Sequence, residues 1–299
     1  MIPAYNQANV LGAAVESALR QDYSNLEVII SDDCSTDGTE ERIKKYISDK
    51  RLQFFQNPRN LGRVANYKNT LEKWASGDWV VNLDGDDYFT DPAFISKAIQ
   101  LINQSGPSEV VFLQAGHTVK NPDGKIIRND VPVIESSYKI IEGKEYFLGF
   151  NHFSHLATVF NRQKAIALDF YRYDILSTDI ESFLRLSLQG KVILMKESVG
   201  VWVHHKGNQS KQLGIAVVEK NMLRFEGPYI YAKALNIFPD YILLKWRNRM
   251  TKSYLLHYLS FSMKNGRELN GYLIHIVKFY PQIIFSSVIP RAIWRALKP

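Results

Sequence analysis

The chain has 299 residues, of which 45% are hydrophobic, 22% charged and 12% aromatic, a balance that excludes a disordered chain. Its single cysteine, Cys34, excludes an internal disulfide framework and a cysteine-built zinc site. The net charge of +7 sits in the tail, because residues 1–215 carry 24 Lys and Arg against 26 Asp and Glu while residues 216–299 carry 13 against 4, which excludes a uniformly basic nucleic-acid binder.

The first third alternates between two hydrophobic periods. Leu11, Ala14, Val15 and Ala18 recur at helical spacing, and Leu26–Ile30 then reads as a buried strand ending at Ser31-Asp32-Asp33. Asp37-Gly38-Thr39-Glu40 reads as a capping box opening a helix through Ile47. Leu52–Phe55 is a strand, Val64, Tyr67, Leu71, Trp74 and Ala75 mark a helix face stopped by Gly77, and Trp79–Leu83 is a strand running into Asp84-Gly85-Asp86-Asp87. Asp91-Pro92 reads as the cap and first position of a helix through Ile102. Strand and helix alternating in units of about 25 residues predict an α/β fold with a mostly parallel sheet, whose ligands lie beyond the carboxyl ends of its strands.

Farther on, Glu109–Val119 and Lys125–Arg128 flank the turn Asn121-Pro122-Asp123-Gly124 and predict an antiparallel pair. Ala157–Phe160 reads as a strand, Asp179–Leu188 as a helix, and Lys191–Met195 and Val199–His204 as two strands. The chain from about residue 216 reads as helical, aromatic and basic.

Two acidic clusters fall at strand ends. Asp84, Asp86 and Asp87 repel one another unless a cation intervenes, and oxygen ligands with a diphosphate suit Mg²⁺ or Mn²⁺. A carboxylate of Asp32-Asp33 can accept from a base N–H or from ribose hydroxyls, the plainer alternative being a turn or helix cap.

The segments Pro3-Ala4-Tyr5-Asn6, Glu27–Thr39, Asn60-Leu61-Gly62, Ala75-Ser76-Gly77-Asp78 and Leu83–Asp87, with Thr178–Arg185 and His204–Ser210 later, form an ordered set. The set resembles the inverting family 2 glycosyltransferases of the GT-A fold, a Rossmann-like α/β/α arrangement. The resemblance implies a nucleotide-sugar donor, a UDP-sugar, and a divalent metal. It implies that Tyr5 lies against the base, that Asp33 takes the uracil N–H, and that Asp84, with Gly85, faces the ribose and diphosphate. Asp86 and Asp87 then hold the metal, with His205 completing its shell beside His204, and Asn60, Gly62 and Asn66 approach the nucleotide. Family members carry an Arg-Asn pair on the following helix; this chain has Tyr67-Lys68, which moves the basic contact to Arg63 or Lys68. The acceptor-side base is implied at Asp179, with Glu181 second and an N-cap as its structural alternative, and His152 and His155 sit in an aromatic loop that would touch the acceptor.

On this reading residues 1–215 are the GT-A domain and 216–299 a basic, amphipathic helical extension that contacts the membrane surface or packs on protein. The expected location is cytoplasmic, on the inner face of a bacterial membrane, since Met1-Ile2-Pro3 shows no leader pattern and no apolar run reaches the roughly 18 residues of a membrane span. Only Met1-Ile2 precedes Pro3, so the first strand is expected as a stub or with its true start upstream. The function implied is transfer to a hydroxyl of a glycan or lipid-linked saccharide in surface polysaccharide synthesis. A sugar-1-phosphate nucleotidyltransferase expects a Gly-rich loop where Ala4–Ala8 has no glycine, a dehydrogenase expects G-x-G-x-x-G, and an inactive GT-A scaffold has no need of Asp84, Asp86 and Asp179.

Overall fold

The computed structural model describes residues 1–150, 155–205, 207–208 and 214–264. His152 and the apolar stretch beyond residue 264 lie outside the described residues. Packing divides the chain into two compact units, one of residues 1–174 and 178–208, the other of 175–177 and 209–299.

The first unit opens with β1 (Ile2–Ala4), α1 (Leu11–Leu19), β2 (Val28–Asp32), α2 (Thr39–Lys44) and β3 (Leu52–Gln56). These three strands are parallel, with Ala4 opposite Asp32 and Asp32 opposite Gln56, so their carboxyl ends share one edge. α3 (Arg63–Asn69) runs on as a π-helical turn, Thr70–Trp74, and leads to β4 (Trp79–Val81). The Met1 ammonium donates to the Val81 carbonyl (2.8 Å), and the Leu83 amide donates to the Met1 carbonyl (2.9 Å). β4 is thereby bonded alongside β1, and its acidic turn arrives at the edge already holding Tyr5 and Asp33.

After β5 (Tyr88–Phe89) and α4 (Phe94–Gln104) come β6 (Val110–Lys120), β7 (Ile126–Asp130), β8 (Tyr138–Glu142) and α5 (Gly143–Gly149). The unit closes with β9 (Thr158–Asn161), α6 (Arg162–Ala167), α7 (Thr178–Ser187) and β10 (Lys191–Val203). The α/β class stands, but this second sheet is mixed: β6 and β10 are parallel, whereas β9, β7, β8 and β5 all pair antiparallel. The turn at Asn121–Gly124 joins β6 to β7 as expected, with Gly124 at φ 84°. β10 is one bulged strand where two were expected.

Local chemistry explains the other departures. The capping box does not form, because Gly38 caps α2 in a left-handed conformation while Asp37 accepts from the amide of Thr39 (3.1 Å), and α2 ends at Lys44 instead of Ile47. α4 begins at Phe94 because Asp91 closes a turn on the amide of Ala93 (2.9 Å), which leaves Pro92 before the helix. The helix before β4 ends at Ala75, where Glu27 accepts from the amides of Ser76 (2.8 Å) and Gly77 (3.0 Å).

Leu11, Ala14, Val15 and Ala18 of α1 pack on β1, β2 and α4, so the predicted helical stripe is the buried one. A second, aromatic layer lies between β6, β9 and α7, where Phe183 meets Phe112, Phe160 and Phe170 edge to face and Phe160 and Phe170 stack face to face.

The second unit contains α8 (Ile215–Lys220), α9 (Leu223–Ala234) and α10 (Asp240–Lys264). Asn221 organises it, accepting from the Ser177 amide (2.8 Å) and donating to the Tyr254 hydroxyl (2.6 Å). Leu243, Trp246, Met250 and Tyr254 of α10 are buried, and Tyr241, Leu244, Lys245, Arg249 and Lys252 are exposed. Among the described residues no helix is long and apolar enough to cross a membrane.

Candidate active site

The loop after β1 is clamped to the loop after β2. Asn6, at φ 51°, accepts from the amide of Thr36 (2.9 Å), its own amide donates to Ser35 Oγ (2.8 Å), and the Ala8 amide donates to Asp37 (3.0 Å). Pro3 and Ala4 are buried in the strand, while Tyr5 projects with 49% of its surface exposed. A flat, exposed aromatic on a braced loop is suited to stacking. Asp32 is fully buried and accepts from Ser35 and from Gln56 Nε2 (2.9 Å), so it is the turn-former of the acidic pair.

Asp33 accepts from Asn57 Nδ2 (3.0 Å) and from the amides of Leu61 (2.8 Å) and Gly62 (2.9 Å). It pins the 57–62 loop beside Tyr5 and keeps one acceptor position on Oδ2. Asn60 accepts from the Gly62 amide (3.0 Å), and Gly62 turns at φ 88°, where a side chain is strained. Asn66 does not face this space: it donates to the Ser31 carbonyl (2.9 Å) and accepts from Ser31 Oγ (2.7 Å) and Asn57 Nδ2 (2.9 Å). Its role is to brace β2 and the loop from behind.

The acidic turn after β4 splits into two directions. Asp84 Oδ1 accepts from the Tyr67 hydroxyl (2.7 Å) and from Asn82 Nδ2 (3.1 Å). Gly85 packs so closely on Gln7 that a Cβ there would lie 2.2 Å from Gln7 Oε1 and 3.0 Å from Leu11. Asp86 Oδ2 lies 2.7 Å from His205 Nε2, and the Gly207 amide donates to His205 Nδ1 (3.0 Å). With Nδ1 accepting, Nε2 carries the proton and donates to Asp86. Burial, then the charge of Asp84, raises the Asp86 carboxyl above its usual range, against the bond from His205.

Asp87, expected beside Asp86, turns inward: it is 3% exposed and accepts from the Val203 amide (2.9 Å). Burial, reinforced by Asp86 and Asp84, holds its carboxyl well above the usual range. His204 also points elsewhere, its amide donating to the Lys120 carbonyl (2.7 Å) and its ring edge-on to Trp202. Among the described residues no three acidic or imidazole groups converge on one point, so Asp86 and His205 would hold a cation only with oxygens from a bound phosphate. Asp86 with phosphate oxygens fits such an ion, and His205 would join it only after a tautomer change that frees Nε2 and gives up the bond from the Gly207 amide.

Asp179 lies in the first turn of α7, half-buried, with a carboxylate that takes no hydrogen bond among the described residues. Its charge reaches Arg63, His155 and Tyr171. Glu181 is excluded as a base: it is fully buried and bound by Arg185 (2.7 and 2.9 Å) and Arg172 (3.2 Å). Of the two basic candidates, Arg63 lies over the Tyr67 ring near Asp84, whereas Lys68 pairs with Asp169 and Glu72.

Sequence reasoning missed Asn82, Tyr67 and Tyr171. Tyr67 carried only a helix-face signal and Asn82 only a strand signal; neither pattern tells that a polar tip reaches Asp84.

This arrangement, acids at the carboxyl edge of an α/β sheet followed by helices, is the GT-A fold. It matches Staphylococcus aureus TarS 1-349 in complex with UDP-GlcNAc at a TM-score of 0.63, with 19% identity, over 98% of this chain and 79% of that one. Residues 1–168, more than half of the chain, match glycosyl transferase family 2, and the chain belongs to that family of glycosyltransferase enzymes. It is 32% identical over 220 residues to a hyaluronan synthase of Pasteurella multocida, covering 72% of this chain and 21% of that protein. It is 29% identical over 227 residues to the UDP-Glc:alpha-D-GlcNAc-diphosphoundecaprenol beta-1,3-glucosyltransferase WfaP of Escherichia coli, covering 69% of this chain and 88% of that one.

Proposed function

We propose that this chain is a metal-dependent inverting glycosyltransferase that moves a sugar from a UDP-sugar to a hydroxyl of a glycan or lipid-linked saccharide in bacterial surface polysaccharide synthesis. The observation that carries the reading is the acidic turn at the sheet edge, with Asp84 braced by Tyr67 and Asp86 paired with His205, together with a separate carboxylate, Asp179, whose charge acts on the same Arg63 and His155 as that of Asp84. The UDP-sugar named for the TarS structure and the polysaccharide enzymes among the relatives support the donor class and the setting.

In this reading Tyr5 stacks on the uracil, Asp33 accepts its N–H, and Asp84 takes the ribose and diphosphate side. Asn6, Asn60, Gly62 and Asn66 hold the loops that shape the nucleotide pocket, and Pro3, Ala4 and Gly85 let the backbone come close. Asp86 would hold the divalent metal, Mn²⁺ or Mg²⁺, with His205 joining after its tautomer change, and Asp87 fixes the turn. A cation bound there would supply positive charge against the departing diphosphate. Asp179 removes the acceptor hydroxyl proton as that oxygen bonds to the anomeric carbon, and the bond to the diphosphate breaks on the opposite face. The proton ends on Asp179 and the electron pair on the nucleotide.

Residues 1–215 serve as the catalytic region, and 216–299 bind the membrane surface from the cytoplasmic side. The exposed Lys245, Arg249 and Lys252 beside Tyr241 and Leu244 support that contact. The test is a thermal-shift screen of nucleotide sugars with and without Mn²⁺, followed by transfer assays. A metal-dependent rise with a UDP-sugar is the expected result; no rise with any nucleotide sugar overturns the reading.

A further inference from the structure

Tyr171 is buried and His155 half-buried, and the proposed chemistry uses neither. Nε2 of His155 lies 2.8 Å from the Tyr171 hydroxyl, and Nδ1 lies 3.5 Å from Asn82 Nδ2, the same amide that donates to Asp84 at 3.1 Å. The proton positions follow in one direction. An ionised Asp84 only accepts, so the amide nitrogen of Asn82, not its oxygen, must face Asp84. That nitrogen also faces His155, so Nδ1 accepts and Nε2 carries the proton. Nε2–H therefore donates to the Tyr171 oxygen.

Tyr171 is held for this contact at a cost. Its backbone lies at φ 62°, a left-handed conformation rare for a bulky aromatic residue, while the side chain is 2% exposed. α7 enforces the conformation: Ser182 Oγ accepts from the Tyr171 amide (2.9 Å), and Arg185 donates to the carbonyls of Leu168 and Asp169. Packing alone has no need of the hydroxyl. The rings of Tyr67, His155 and Tyr171 also meet, with Tyr67 5.7 Å from His155 and 5.4 Å from Tyr171, and it is Tyr67 that supplies the second donor to Asp84.

We infer that Tyr171 and His155 are a positioning pair: Tyr171 locks the His155 ring as its Nε2–H tautomer, and that ring, through Asn82 and Tyr67, aims the Asp84 carboxylate at the donor. The inference rests on the reading of Asp84 as a donor-side acid. The charged and titratable groups acting on the imidazole are Asp84, Asp179, Arg63, the Met1 ammonium, Tyr67 and Tyr171. Burial lowers its pKa below the usual 6.5 and outweighs the two carboxylates, which keeps the ring neutral.

The test uses the full chain with ¹⁵N-labelled histidine. The resonance that vanishes in H155Q is expected to report a neutral ring protonated on Nε2 at pH 6.5, the ordinary histidine midpoint. A ring protonated on Nδ1, or charged at that pH, overturns the pairing. Y171F keeps the aromatic packing and is expected to weaken UDP binding in Mn²⁺ about tenfold, ~1.4 kcal/mol, with little further loss in Y171F/H155Q and a melting temperature close to wild type. Unchanged UDP affinity in Y171F, or a lower melting temperature with affinity retained, overturns it. If Y171F does not fold, the wild-type tautomer decides. If the wild type binds no UDP, the donor-site reading fails and the pairing stands or falls on the tautomer alone.

Discussion

Replacing Arg185 with Met tests what the buried Glu181–Arg185 ion pair contributes to stability. The Arg185 side chain is 1% exposed and that of Glu181 is 0% exposed, with Nε bonded to Glu181 Oε1 at 2.7 Å and a terminal nitrogen to Oε2 at 2.9 Å. The same guanidinium donates to the carbonyls of Leu168 and Asp169. Removing one partner of a buried pair costs about 3–5 kcal/mol, because the remaining charge has lost its compensation. Arg172, 3.2 Å from Glu181 and itself 26% exposed, tempers that penalty, while each carbonyl left without its donor adds about 1 kcal/mol. The net expectation for R185M is a loss of about 4 kcal/mol, or about 10 °C in melting temperature for a unit of this size. Urea unfolding followed by tryptophan fluorescence measures it. The double variant E181L/R185M is expected to recover about half of the loss, since an apolar pair no longer strands a charge but the two carbonyls stay unpaired. An R185M variant within about 1 kcal/mol of wild type, or a double variant less stable than the single, refutes the reasoning.

D179N is expected to lower transfer by a factor of about 10³ while UDP affinity stays unchanged, the signature of a missing base; calorimetry beside a transfer assay separates the two. D86A is expected to remove the Mn²⁺-dependent part of the stabilisation by UDP, read by thermal shift. D87N is expected to raise the melting temperature near neutral pH. Asp87 has a folded-state carboxyl raised above its usual 3.8 by burial, so its ionisation weakens the fold as pH climbs from about that value through the raised midpoint. The amide keeps an acceptor for the Val203 N–H, so the gain should shrink towards zero as pH falls to about 4; an equal gain at both ends contradicts a raised carboxyl.

The acids themselves were legible in the sequence. An apolar β-branched run ending in Asp32-Asp33, and another ending in Asp84-Gly85-Asp86-Asp87, put carboxylates at strand ends wherever those strands lie. How each acid is turned was not legible. Asp32 and Asp87 have the same side chain and the same neighbourhood in sequence as Asp33 and Asp86. Asp32 and Asp33 are both buried, the first held by Gln56 and the second by the 57–62 loop, while Asp87 turns inward to Val203 and Asp86 meets His205. Glu181 likewise resembles a second base until Arg185, one helical turn on, closes over it.

Local pattern alone determined the alternation of strands and helices, the position of the acidic turns and the basic character of the tail, because hydrophobic period and charge are properties of neighbouring residues. The antiparallel pairings of β5, β8 and β9, the inward turn of Asp87 and the path from Tyr171 through His155 to Asn82 were decided by tertiary structure. Those contacts join residues 16 to 116 positions apart, and nothing in the neighbourhood of either partner specifies the other until the strands have paired.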